Sequence, residues 1–136
     1  MQLLINAASD GIDVSNNVAY NTNGHCYFLE DACEQSNSFI HNLGITVHPV
    51  AAEDAYQLIP TDSEPTVFWI TNVNNTFVNN SAVSGKFGYW FSLPDKTIGL
   101  SAAKYANDPW IRPRCMPIRQ FDYNVAHRYC DKTQGL

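Results

Sequence analysis

The chain has 136 residues, of which 45% are hydrophobic and 15% are charged. This length allows one domain with a sizeable core and excludes two independent cores, so we predict a single domain over residues 1–136. Charged residues are scarcer than the roughly 25% of ordinary globular chains, and asparagine is over-used, a pattern that suits extracellular β-proteins.

The charges are unevenly distributed. Residues 1–85 hold nine acidic side chains and no lysine or arginine, whereas residues 86–136 hold eight basic and four acidic ones. This distribution argues against nucleic acid as a partner of the first half, because phosphate binding needs clustered basic residues. Neutral sugars, cations, self-association of acidic and basic faces, and a merely solvated surface all remain compatible with this asymmetry.

In chain order, the predicted elements are short strands separated by polar corners. Residues 1–8 read as a strand followed by a turn, and alternation around Val14 and Tyr20 predicts two half-buried strands joined by a corner at Asn16-Asn17. Further strands are predicted at 25–30, 38–41, 45–50 and 67–72, and the last rung is predicted at 118–128. Acidic residues early in 51–58 predict a short helix there. Proline-containing excursions are predicted at about 51–66 and 94–116.

A motif of the form Phe-x-x-Asn-x-(Gly/Ala) recurs along the chain. It starts at Phe39, Phe77 and Phe121, and Val14 begins the same form with valine in place of phenylalanine. A second echo relates Gly24–Leu29 to Gly88–Leu93. A unit of about 22–25 residues is the size of one rung of a parallel β-helix, which must stack on its neighbours to bury its inner face. We therefore predict an all-β, right-handed parallel β-helix, a single-stranded solenoid with two loop excursions. An antiparallel sandwich, which normally has two-residue hairpin turns, is the rival.

The cysteines and glycosylation motifs indicate the cellular compartment in which the protein folds. Cys26, Cys33, Cys115 and Cys130 are disulfide candidates with three fully paired connectivities, and no Cys-x-x-Cys spacing predicts zinc. Asn74 and Asn79 head two N-glycosylation motifs. Together these features favour an oxidising compartment. The start lacks a signal-peptide pattern and no membrane span is predicted, so a secreted protein would need an export signal outside this sequence, as in a fragment or processed form.

An ordered series of motifs resembles a known family. The series comprises Asn17-Val18-Ala19-Tyr20, Gly24-His25 with 27–31, His41-Asn42-Leu43-Gly44, Phe68-Trp69-Ile70-Thr71-Asn72 and Asn124-Val125-Ala126-His127. It resembles the right-handed parallel β-helix region of the extracellular family that contains cell-migration-inducing hyaluronan-binding protein, cell-surface hyaluronidase and fibrocystin-like proteins. The family usually has glycine where this chain has Ala32, and the family's other modules are absent. The resemblance implies an extracellular or cell-surface location and hyaluronan-like ligands.

Four residues form the predicted catalytic set: Glu30, Asp31, His25 and His41. Paired carboxylates can cleave glycosidic bonds, and histidine can supply a proton near neutral pH. Stacked rungs would bring His25 or Asp31 towards His41. In the alternative, Asp31 caps a turn and Glu30 bonds buried backbone; a calcium ion held by Glu30, Asp31 and Glu34 is a further alternative, although no metal or other cofactor is required.

Aromatic and basic residues supply the predicted carbohydrate-binding set. Trp69, Trp90 and Trp110 could stack on sugars, and Arg112, Arg114 and Arg119 could clamp a polysaccharide carboxylate. The competing interpretations are core aromatics and a solvated basic loop. The leading hypothesis is an extracellular β-helix module that contacts glycans or proteins. The alternatives are a structural protein that stacks end to end and a glycosidase of the hyaluronidase type.

Overall fold

A computed structural model describes residues 3–5, 9–51 and 60–127. Within these ranges the chain forms twelve short strands and little helix. The strands are β1 (Leu3–Ile5), β2 (Asp13–Ser15), β3 (Val18–Asn23), β4 (Tyr27–Leu29), β5 (Ser38–Ile40), β6 (Leu43–His48), β7 (Thr66–Ile70), β8 (Thr76–Val78), β9 (Ser81–Val83), β10 (Phe87–Phe91), β11 (Gln120–Asp122) and β12 (Val125–His127). One helical turn, α1 (Ala102–Tyr105), follows a 3₁₀ turn at Gly99–Ser101, and two further 3₁₀ turns lie at Pro60–Ser63 and Pro113–Cys115.

The strands form three parallel sheets of four strands each. Sheet A is β1-β4-β7-β10, sheet B is β2-β5-β8-β11, and sheet C is β3-β6-β9-β12. Each strand therefore pairs with the third strand after it, and the chain passes through A, B and C in turn. We call one such passage a coil. The predicted all-β architecture with parallel strands is confirmed.

The recurring motif occupies the same place in each coil. Val14 pairs with Phe39, Phe39 with Phe77 and Phe77 with Phe121, all in sheet B. The small residues at the end of the motif pair likewise in sheet C, in the order Ala19, Gly44, Ala82, Ala126. The repeat inferred from the sequence is thus the structural repeat.

The second echo, between Gly24–Leu29 and Gly88–Leu93, is wrong by two residues. Tyr27 pairs with Phe68, and Phe68 with Tyr89, whereas the echo aligns Tyr27 with Phe91. The tyrosine hydroxyls account for the true register: that of Tyr27 lies 3.1 Å from the carbonyl oxygen of Asn17, and that of Tyr89 lies 2.9 Å from the corresponding oxygen of Asn80. Equivalent hydrogen bonds across the interior fix which aromatics stack.

Aromatic stacks fill the interior. The rings of Phe39 and Phe77 lie 4.8 Å apart, and Phe68 lies 4.6 Å from Tyr27 and 4.8 Å from Tyr89. Small residues on the inner face of sheet C leave room for these rings. At Gly44 the space is filled completely, since an added Cβ would lie 2.1 Å from Cγ1 of Val67.

A ladder of asparagines runs along the corner between sheets B and C. The backbone N–H groups of Asn17, Asn42 and Asn80 each donate to the Oδ1 of the next ladder asparagine, at 3.1, 3.0 and 3.0 Å, ending at Asn124. The residue before each ladder asparagine has a left-handed backbone; these residues are Asn16, His41, Asn79 and Tyr123. The ladder satisfies backbone groups at a buried corner, where unpaired groups would be costly.

Two long connections leave the coil. The first excursion joins β6 to β7, and the second joins β10 to β11. The helix predicted at 51–58 falls almost wholly on residues outside the described ranges. The second excursion docks on the second coil, where the N–H of Ile98 donates to the carbonyl oxygen of Asp31 at 2.9 Å and that of Ser101 donates to its Oδ2 at 2.8 Å.

Candidate functional site

The outer face of sheet A carries a row of aromatic side chains. Strand residues alternate between faces, so the inward stack of Tyr27, Phe68 and Tyr89 places the next residue of each strand outside. These neighbours are Phe28, Trp69 and Trp90, and they pair in register. The exposure of these side chains rises along the row: Phe28 is buried, Trp69 is half-buried and Trp90 is 41% exposed.

The exposed end of the row forms a surface that we call the aromatic platform, made of Trp69, Phe87 and Trp90. The rings of Trp69 and Trp90 lie 6.4 Å apart and 17° from parallel, and Phe87 lies 4.7 Å from Trp90. Lys86 places its Nζ 5.5 Å from the centre of the Phe87 ring and 2.8 Å from Oε1 of Glu64. The platform thus combines stacking surface with a cation at its edge.

His25 supports the platform from beneath. Its ring stacks on Phe28 at 5.2 Å and contacts Trp69 at 4.8 Å. Nδ1 accepts a hydrogen bond from the N–H of Thr66 at 3.0 Å, which leaves the proton on Nε2, 3.2 Å from Oγ1 of Thr61. Burial lowers the pKa of His25 to about 4. A fully buried neutral imidazole cannot deliver protons to a surface ligand near neutral pH.

Asp31 and Glu34 are both fully buried. Asp31 accepts from Ser101, as described above, and its N–H donates to Oε1 of Glu34 at 2.8 Å. Burial raises the pKa of Glu34, and the charge of Asp31 raises it further. Oδ1 of Asp31 and Oε2 of Glu34 have no hydrogen-bond partner among the described residues. The Asp31 carboxylate therefore binds the backbone of the second excursion, and the Glu34 carboxylate binds the backbone of Asp31.

The four predicted catalytic residues do not surround one groove. Glu30 is half-buried, with its pKa raised by burial and then by Asp31. His41 is exposed at the corner between sheets B and C, with Nδ1 2.8 Å from Oδ1 of Asn16, whereas His25 lies under the outer face of sheet A. In the described part of the chain, no group of three or more His, Cys, Asp or Glu side chains could hold a metal ion.

The remaining predicted sugar-contact residues lie in the second excursion. Trp110 is 83% exposed and Arg112 is also exposed. Arg114 pairs with Asp95 at 2.8 Å, and its Nε donates to the carbonyl oxygen of Leu93 at 3.4 Å. Arg119 binds Oγ of Ser36 at 2.7 Å rather than joining the other two arginines in a clamp.

The cysteines and glycosylation motifs differ in their exposure. Cys26 and Cys33 are buried and Cys115 is exposed, while Cys130 lies outside the described residues. The disulfide pairings therefore stay a prediction. Asn74 is half-buried before β8 and Asn79 is exposed between β8 and β9.

Sequence reasoning missed two members of the platform region, Phe87 and Lys86. Phe87 is three residues before Trp90 in an otherwise apolar strand, and Lys86 is the first basic residue of the chain. Their position beside the tryptophans was the available signal. The contact of His25 with Thr61 gave no local signal, because it joins the first excursion to a distant corner.

The chain passes through three parallel sheets in turn, and equivalent motifs pair from one coil to the next. This arrangement defines an all-β protein built from stacked coils of parallel strands. A family model described as CEMIP beta-helix matches residues 6–134. The chain belongs to this family.

Relatives with similar sequences come from distant organisms. The chain is 33% identical over 132 residues to Protein rliB and 34% identical over 132 residues to Communication mutant protein F, both from Dictyostelium discoideum. It is 32% identical over 115 residues to Fibrocystin-L of Mus musculus. These alignments cover 88%, 88% and 84% of this chain but only 11%, 12% and 2% of the relatives. The chain thus corresponds to a small part of each relative.

No solved structure matches the chain. Among the described residues, no helix has the length and apolar character needed to cross a membrane.

Proposed function

We propose that the chain is an extracellular, right-handed parallel β-helix module that contacts glycans through the aromatic platform. The right hand follows from the strong preference of parallel strand connections for right-handed crossovers. The extracellular location is supported by membership of the family, by the two glycosylation motifs and by the low content of charged residues.

One observation carries the proposal: Trp90 presents an exposed ring that is held in place by neighbouring rings. The rings of Trp69 and Phe87 lie 6.4 Å and 4.7 Å from the Trp90 ring, and the ring of His25 lies 4.8 Å from that of Trp69. A ring held this way loses little conformational entropy when a ligand stacks on it, which favours binding. Exposed aromatics in pre-formed positions also tend to supply a large share of the binding energy at an interface.

Lys86 supplies the charge preference. Its ammonium group lies at the edge of the platform and is more than half exposed, as is its partner Glu64. An exposed ion pair of this kind is worth about 0–1 kcal/mol, so Lys86 can exchange Glu64 for a ligand carboxylate at little cost. A polysaccharide with regularly spaced carboxylates, of the hyaluronan type, fits this arrangement.

The test is binding of hyaluronan oligosaccharides of defined length, followed by tryptophan fluorescence and calorimetry. We expect Trp90→Ala to weaken binding about tenfold or more, the equivalent of about 1.4 kcal/mol. Trp110→Ala is the matched control, because Trp110 is exposed but lies outside the platform, and it should leave the affinity unchanged. Equal losses for both variants, or no loss for Trp90→Ala, would reject the platform.

Two further readouts separate the alternatives. Lys86→Gln should weaken binding of hyaluronan oligosaccharides more than that of neutral oligosaccharides. Shortening of the oligosaccharides during incubation, abolished by Asp31→Asn, would instead support the hydrolase alternative. The burial of Asp31 and His25 makes retention without shortening the expected result.

A further inference from the structure

The two N-glycosylation motifs lie five residues apart but in different environments. Asn74-Asn75-Thr76 leads into β8, and Asn79-Asn80-Ser81 connects β8 to β9. In each motif the middle asparagine is buried, with Asn80 in the asparagine ladder and Asn75 accepting from the N–H of Asn37 at 2.8 Å. The middle asparagines are thus alike in burial, whereas the first asparagines have different surroundings.

Asn74 is held by the fold. Its Nδ2, the atom that would carry a glycan, donates to Oε1 of Gln35 at 2.8 Å. The side chain is half-buried, and its backbone N–H and carbonyl also bind Asn72 and Ser36 at 2.9 Å each. A glycan on Asn74 would break the bond to Gln35 and displace a packed side chain.

Asn79 presents its side chain to solvent. It has a left-handed backbone (φ 56°) at the outer corner between sheets B and C. Its side-chain amide makes no hydrogen bond with any residue that the structure describes. The corner opens onto a shallow groove of about 350 Å³ whose lining includes Asn79, His41, Val18 and Leu43. A glycan can leave the chain here without disturbing the ladder.

The outer face of sheet C beside this groove is unusually apolar. Val18 is 66% exposed and Tyr20 is 67% exposed, and half-buried Leu43 and Ile45 continue the same two columns. A bulky hydrophilic modification next to an exposed apolar surface can shield it from water.

We propose that Asn79 is the glycosylated asparagine of this chain, that Asn74 is unmodified, and that the glycan on Asn79 covers the groove, including its apolar lining at Val18 and Leu43. In the transfer, Nδ2 of Asn79 forms a bond to the anomeric carbon of a lipid-diphosphate-linked oligosaccharide. The bond from that carbon to the diphosphate breaks, and one amide proton is released.

This inference rests on the extracellular location in the proposed function but not on glycan binding. The full chain is therefore expressed behind a supplied export signal in a eukaryotic secretory host, and its peptides are mapped after enzymatic deglycosylation in ¹⁸O water. We expect ¹⁸O-labelled aspartate at position 79 and unlabelled asparagine at position 74. Label at 74, or at neither position, overturns the proposal, whatever the platform binds.

Matched variants test whether the glycan on Asn79 covers the groove. Ser81→Ala removes the motif of Asn79 without altering its left-handed corner, and Thr76→Ala removes the motif of Asn74. Ser81→Thr keeps the motif of Asn79 intact. We expect Ser81→Ala alone to lose the mass of one glycan and to bind more of an apolar dye. Unchanged mass in Ser81→Ala, or equal dye binding by the three variants, would overturn the proposal or its covering role, respectively.

Discussion

At the scale of single residues, His25 is a buried group whose pKa lies well below its ordinary value. Its pKa falls from 6.5 to about 4 because burial disfavours the imidazolium. Between these pH values the unfolded chain binds a proton that the folded chain excludes. The contribution of neutral His25 to the free energy of unfolding is therefore fully present above about pH 6.5. It is lost as the pH falls towards 4, by about 3 kcal/mol in total.

His25→Gln should remove this pH dependence, because glutamine does not titrate and can still accept from the N–H of Thr66. Urea unfolding at about pH 7.5 and about pH 4.5 measures the effect. We expect the wild-type free energy of unfolding to fall more between these pH values than that of the variant. Parallel pH profiles would show that another group controls acid stability.

Glu34 makes stability depend on pH in the opposite direction from His25. Burial raises its pKa above the ordinary 4.5, so the folded state binds the extra proton. Its contribution to stability is present below pH 4.5 and is lost as the pH rises through the folded pKa, when a carboxylate must ionise beside Asp31. Glu34→Gln can keep the bond from the N–H of Asp31 without the charge.

The expected gain in stability from Glu34→Gln is about 1–3 kcal/mol at about pH 8 and smaller at about pH 4.5. Thermal unfolding at both pH values checks this difference. A gain of equal size at the two pH values would contradict a charge-based penalty and leave packing as its cause.

At the scale of elements, the asparagine ladder joins neighbouring coils at one corner. Asn80 occupies its buried middle: its Oδ1 accepts from the N–H of Asn42 at 3.0 Å, and its Nδ2 donates to the carbonyl oxygen of Phe39 at 2.9 Å. Asn80→Ala would leave both groups unpaired, at a cost of about 2–5 kcal/mol. Asn17→Ala, at the exposed end of the ladder, should cost about 1 kcal/mol or less. Urea unfolding of the two variants compares them, and equal losses would argue against the role of burial.

The elements most open to sequence prediction were those that repeat. Phe39, Phe77 and Phe121 recur because every coil needs a large inner side chain in sheet B before the same corner. The corner asparagines were also visible, but the left-handed residue precedes the ladder asparagine and can be His41 or Tyr123. Residue type alone does not reveal that position, because the ladder bonds rather than intrinsic preference hold the backbone there.

The candidate site was harder to predict because it depends on contacts distant in sequence. Trp90 could be placed outside only once Tyr89 was known to stack inside on Phe68, and the misread echo with Gly24–Leu29 concealed that register. The burial of His25 and Asp31 comes from the docking of residues around Thr61 and Ser101. No local pattern encodes such docking.

At the scale of the whole molecule, the fold brings the acidic and basic halves of the chain together. Lys86 pairs with Glu64 across the boundary between them. The second excursion, which carries Lys104, also docks on the acidic half, because the N–H of Ser101 donates to Oδ2 of Asp31 at 2.8 Å. Part of the charge asymmetry is therefore neutralised within one chain.

This neutralisation weakens the case for end-to-end stacking driven by opposite charges. We expect sedimentation to give the monomer mass at both about 20 mM and about 500 mM NaCl, since only the lower concentration would leave a long-range attraction unscreened. Glu64→Lys, which breaks the bond to Lys86 and enlarges the basic surface, is the companion variant and should also remain monomeric. A larger mass at low salt that disappears at high salt would establish head-to-tail assembly instead, because charge attraction between copies is the association that salt removes.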